Sequence, residues 1–60
     1  MPPKPFEVYR RLRREGWIDE GGAGSHRKMS RNGKTIVIAL HRKELRKGIW
    51  ERIRKDAGWR

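Results

Sequence analysis

Apolar positions along this chain fall into short groups, and the spacing within each group names the element it builds. Val8 and Leu12 stand four apart with Tyr9 beside them, one face of a helix, while Arg10, Arg11, Arg13 and Arg14 take the remaining surface. Pro5 and Glu7 fit the start of that helix, because proline is tolerated in the first turn and an acid there complements the positive end of the helix dipole; Gly16 is the expected stop. Trp17-Ile18-Asp19-Glu20 is short and partly alternating, glycines follow it, and Ser25 to Ser30 resumes an extended pattern, which predicts two hairpin strands. Arg31-Asn32-Gly33-Lys34 holds the Asn-Gly pair that favours a tight turn, and Thr35 to Leu40 is rich in the β-branched residues of a third strand. Gly48 is the expected start of a second helix, with Glu51 in its first turn and Gly58 at its end. Ile49, Ile53 and Ala57 recur every four residues there and Trp50 widens the stripe, so this face is predicted to dock on the sheet.

The order α-β-β-β-α predicts an α+β fold: a three-stranded antiparallel sheet packed against two helices, in one domain spanning residues 1–60. A chain of this length hides only about 60% of the surface its unfolded form exposes, so one small core is all it can build. It has no cysteine, which removes disulfides and thiolate zinc sites and fits a reducing compartment; the cytoplasm is the expected location. No apolar run approaches the roughly 20 residues of a membrane span, and Met1-Pro2-Pro3-Lys4-Pro5 lacks the apolar stretch of a signal peptide. Neither export nor anchoring is expected.

Charge changes the picture most. Seventeen Lys+Arg against 7 Asp+Glu give a formal net charge of +10, a density that attracts polyanions and accelerates encounter with phosphate without dictating a fold. The arginines of the first helix, Arg10, Arg13 and Arg14, and the basic loop before the second, Arg42 and Lys43, are expected to position RNA by its phosphates.

Within this cationic surface, Gly21-Gly22-Ala23-Gly24-Ser25-His26-Arg27-Lys28 delivers one histidine from a glycine turn. In a strand over Ser25–Ser30, Met29 shares a face with Arg27 and Ser25, so a core-facing Met29 turns His26 and Lys28 outward, where a substrate can reach them. A surface histidine can also be purely structural; imidazole is nevertheless the side chain that exchanges protons near neutral pH. A two-metal nuclease needs several converging carboxylates, whereas Asp19 and Glu20 face opposite sides of a strand and the other acids lie mostly on helices among arginines, so no metal is expected. RNA supplies its own nucleophile, the 2′-hydroxyl, which attacks the adjacent phosphate once a base takes its proton and cations steady the developing charge; His26 with Arg27 and Lys28 could suffice. Ser25 is expected to hydrogen-bond the turn rather than act as a nucleophile. The glycines lack the Lys-Ser/Thr ending of a P-loop, and a hairpin turn is their commoner use. His41 is a second candidate for phosphate contact or proton transfer, equally able to make one structural hydrogen bond. Of Trp17, Trp50 and Trp59, two are expected in the core and Trp59, near the chain end, is the candidate for stacking on bases.

Gly16-Trp17, then Gly24-Ser25-His26, then His41-Arg42-Lys43-Glu44-Leu45-Arg46-Lys47-Gly48 and the closing Ile53-Arg54-Lys55-Asp56-Ala57-Gly58 together make a chain that resembles the HicA toxin family nearly end to end. The Gly-Ser-His triplet is the most specific element. The resemblance implies a double-stranded-RNA-binding-domain-like fold, endoribonuclease action on messenger RNA as the toxin of a type II toxin–antitoxin system, and a HicB antitoxin covering the active site of a toxin that is monomeric when free. On the matching position it makes His26 the catalytic histidine. The further RNA contacts expected around it are Gly24, Ser25, Arg27, Lys28 and His41. Members often carry proline after the apolar run of the third strand, where this chain has Ala39. The residues alone leave open a noncatalytic RNA-binding module, and a DNA-binding protein whose second helix enters a groove.

Overall fold

Helix α1 (Pro5–Arg14) and helix α2 (Lys47–Ala57) end on the same device, a glycine followed by a tryptophan. In the computed structural model, which describes residues 3–59, Gly16 and Gly58 adopt positive φ (99° and 78°) and reverse the chain. The next amide then reaches back five residues: Trp17 N–H donates to the Leu12 carbonyl at 2.9 Å and Trp59 N–H to that of Arg54 at 2.8 Å. This closure satisfies carbonyls the helix leaves open and throws the following side chain onto the helix's own apolar face. Trp17 and Trp59 are accordingly buried. Trp59 is therefore a core residue rather than a free stacking platform, because the turn at Gly58 fixes its direction. Its indole N–H donates to Glu15 at 2.6 Å and the Arg11 guanidinium lies 3.9 Å from its ring centroid, tying the two helix ends together.

Strands β1 (Ile18–Asp19), β2 (His26–Arg31) and β3 (Lys34–Ala39) form an antiparallel sheet in the order β1-β2-β3. Asn32 and Gly33 both take positive φ (50° and 80°), the conformation a two-residue hairpin loop requires, and this sets the pair Arg31↔Lys34 and every pair beyond it. Strands two and three are thus displaced by one residue from the sequence pattern: the first gains Arg31, the second gains Lys34 and gives up Leu40.

One face of the sheet packs on the helices through Met29, Ile36 and Ile38, against Val8 and Leu12 of α1 and Ile53 of α2. Leu12, Met29 and Ile38 have no exposed surface, and burying each contributes about 1.5–3 kcal/mol relative to leaving it in water. The expected docking stripe of α2 is narrower than its sequence spacing: Ile53 is buried, but Ile49 is 45% exposed. Steps of four residues drift around a helix of 3.6 residues per turn, and the stripe turns toward Trp50 and Trp59, leaving Ile49 at its margin. Among the described residues no helix is long and apolar enough to cross a membrane. Met1 and Pro2, part of the segment expected to lack a signal peptide's apolar stretch, lie outside the described residues.

Candidate functional site

The glycine segment that joins β1 to β2 is held at both ends. Glu20 N–H donates to the Lys28 carbonyl, while Lys28 N–H donates to the Gly21 carbonyl, both at 2.7 Å, so Lys28 faces two residues with the offset of a β-bulge. Gly22 then passes so close to β2 that a Cβ placed on it would lie 2.0 Å from the His26 carbonyl oxygen. Gly24, at φ 60°, turns the chain, and His26 N–H closes on the Ala23 carbonyl at 3.1 Å. Close backbone approach, rather than phosphate cradling, is what Gly22 does in the structure.

Alternation along β2 divides its cations as the sequence predicts. Met29 is buried, and His26 and Lys28 are exposed on the opposite, open face of the sheet. Arg27 shares the Met29 side and meets Asp19: its Nη2 and Nε donate to Oδ2 at 2.9 and 3.2 Å. Tyr9 from α1 donates to the same oxygen at 2.5 Å, the Gly21 amide to Oδ1 at 2.8 Å, and Arg13 Nη1 stands 3.9 Å away. These contacts, led by the Tyr9 hydroxyl, then the Gly21 amide and the Arg27 guanidinium, hold the Asp19 carboxyl down at about 2. The carboxylate thereby fastens the first helix, the glycine segment and β2 at one point. The Gly21 amide, two residues on, is the local turn bond an aspartate makes, but Tyr9, Arg13 and Arg27 come from two other elements, and no local spacing announces them.

At the other end of the sheet the chain returns to His26. The pairing His26↔Ala39 is followed by Leu40 N–H donating to the Ser25 carbonyl at 2.9 Å, so the residue after Leu40 emerges beside Ser25. That residue is His41. Its Nδ1 is 2.9 Å from Ser25 Oγ, and its ring centroid is 5.5 Å from that of His26 at a 55° tilt. Ser25 therefore engages the second histidine, not the turn as expected, because antiparallel pairing carries β3 back across the start of β2. Three residues separated by up to 16 positions form one exposed cluster.

Beside it lies a hollow of about 230 Å³ lined by His26, Val37, Ala39, Arg42, Arg46 and Ile49. Val37 and Ile49, 54% and 45% exposed, give it an apolar wall, and Arg42 and Arg46 give it charge. Arg42 also lines a second hollow of about 370 Å³ with Lys43, Lys4 and Phe6, which carries the basic surface around to the first turn of α1. Arg46, absent from the residues singled out by sequence, belongs to the site because it stands where the chain enters α2, across the hollow from His26.

The first-helix arginines divide. Arg14 is exposed on α1, and the Arg10 guanidinium lies 6.0 Å from the ring centroid of Phe6, which lines the second hollow with Arg42 and Lys43. Arg13 donates to the Tyr9 hydroxyl at 3.2 Å beside Asp19. His26 shares one hollow with Arg42 and Arg46, and Arg42 shares the other with Lys43 beside Phe6 and Arg10, whereas Arg13 and Arg27 turn to Tyr9 and Asp19. Among the described residues no group of three His, Asp or Glu side chains stands ready to hold a metal ion.

Comparison with known proteins bears on this arrangement. Residues 7–59 match the family model described as the HicA toxin of bacterial toxin–antitoxin systems. A search of curated proteins gave no match.

Proposed function

Because the chain belongs to the HicA family, toxins of bacterial toxin–antitoxin systems, we propose that it acts as an endoribonuclease on messenger RNA, with His26 as the residue that takes the proton from the attacking 2′-hydroxyl. The observation that carries this reading is the position of His26: exposed on the open face of the sheet, two residues from Lys28 and at the wall of the hollow that Arg42 and Arg46 line. A phosphodiester laid there meets a proton acceptor and several cations together, the combination that strand scission by the 2′-oxygen needs. Toxicity requires an antitoxin, and a HicB-type partner would present an acidic face that covers His26 and neutralises the surrounding charge. The setting we assign is the cytoplasm, where messenger RNA and antitoxin are both made.

The test is cleavage of RNA by the purified protein in the presence of a chelator. Wild type should cut; His26→Ala should lose about 10²–10⁴ in rate while its RNA affinity stays close to wild type, since proton transfer contributes to rate and little to binding. Intact RNA with both proteins would leave a noncatalytic RNA-binding module, and preference for one duplex DNA sequence over RNA would replace both.

A further inference from the structure

Scission of RNA needs two proton transfers, and His26 accounts for one. The 2′-oxygen loses its proton as it bonds to phosphorus, and the bond from phosphorus to the 5′-oxygen breaks; that departing oxygen must gain a proton, or leave as a high-energy alkoxide. Arginine and lysine hold their protons at neutral pH, so the cations of the hollow are suited to the phosphate charge rather than to this transfer.

Resting on the ribonuclease reading above, we propose that His41 is a second catalytic residue: the general acid that protonates the leaving 5′-oxygen from its Nε2. Ser25 Oγ lies 2.9 Å from His41 Nδ1, so one ring nitrogen is occupied and the other is left for substrate. In the working form Nδ1–H donates to Ser25 Oγ, which fixes the ring and leaves Nε2 as the nitrogen that carries and releases the catalytic proton. The two imidazole rings stand side by side with centroids 5.5 Å apart, so a single phosphodiester laid across their exposed edges can present its 2′ side to His26 and its 5′ side to His41. Both rings are exposed and can reach a substrate without any rearrangement of the core. After the step His26 holds the proton from the 2′-hydroxyl, His41 is neutral, and the RNA ends in a 2′,3′-cyclic phosphate and a 5′-hydroxyl. Ser25 is a positioning residue in this scheme.

The experiment compares two oligonucleotides with one mapped cleavage site, identical except that the second carries sulfur in place of the scissile 5′-oxygen. A thiolate departs without a proton, so the sulfur substrate needs the base but not the acid. His41→Asn, whose side-chain amide can still meet Ser25, should cut the ordinary RNA about 10²–10⁴-fold more slowly than wild type and recover to within roughly tenfold on the sulfur substrate. His26→Ala should stay slow on both. His41→Asn cutting ordinary RNA at the wild-type rate, or being equally slow on both substrates, overturns the acid assignment while leaving His26 as base. Wild type that cuts neither substrate overturns the ribonuclease reading and this inference with it.

Discussion

Asp19 and His26 stand at opposite ends of the glycine segment, and their surroundings contrast. Around Asp19 every partner is another part of the chain: Tyr9, the Gly21 amide, Arg27 and Arg13 converge on a carboxylate whose side chain is 8% exposed. Around His26 the partners are few and the charge is left facing solvent, with Lys28 on the strand and Arg42 and Arg46 across the hollow. The two regions use the same residue types. A guanidinium opposite a shielded carboxylate closes the fold, whereas one without an acid beside it keeps its charge for a phosphate. Strand alternation makes the choice: Arg27 and Lys28 are adjacent in sequence and belong to different regions because they face opposite sides of β2.

The largest effect that tests this contrast is expected at Gly22. Gly22→Ala puts a methyl group 2.0 Å from the His26 carbonyl oxygen, so β2 or the glycine segment must shift, and a shift of about 1 Å in a reacting group can cost roughly 10²-fold in rate. Cleavage should fall by about that factor while RNA affinity changes little. Unaltered cleavage would mean that the segment does not set the position of His26.

Next come the cations. Replacing Arg42 and Lys43 by alanine should weaken RNA binding and flatten the dependence of log K on log salt by about 0.7 for each phosphate of a single strand that is no longer neutralised. Arg14→Ala, on the outer surface of α1, should change the slope less. Arg27→Ala should leave the slope intact and lower the melting temperature instead, because it strips a partner from Asp19. A slope that responds to Arg27 as strongly as to Arg42 would erase the distinction between the two regions.

Asp19 gives the junction a signature in pH. Its carboxyl ordinarily titrates near 3.8 and is held at about 2 in the fold, so its contribution to stability is complete above the unfolded value and drains away as pH falls from there through about 2. Thermal melts of wild type and Asp19→Asn should therefore differ most above about pH 4 and converge toward about pH 2. Parallel curves across that range would show that the carboxylate is not linked to folding.

The smallest effect is expected at the joined helix ends. The Trp59 indole N–H, followed by Arg11, holds the Glu15 carboxyl below its ordinary range. Trp59→Phe keeps most of the buried ring and removes that hydrogen bond, worth about 1 kcal/mol, which chemical denaturation can resolve. No change in RNA affinity should accompany it, because Trp59 is core.

Much of this molecule follows from short-range rules. Pro5 and Gly16 bound the first helix, Asn32-Gly33 fixes the hairpin, Gly58 ends the second helix, and placing Met29 in the core turns His26 outward; each depends on a spacing of a few residues and on backbone preferences that act locally. Tertiary structure decided which of the exposed and ionic groups meet. His41 stands 16 residues from Ser25 and becomes its partner only because β3 runs back along β2; Asp19 gathers its partners from α1, β2 and the glycine segment; Ile49 turns outward according to how α2 settles on the sheet. Periodicity specifies which face of an element is apolar. The long, flexible charged and aromatic side chains at the edges of those faces find partners by distance in space, and that distance is set by packing between elements far apart in the chain.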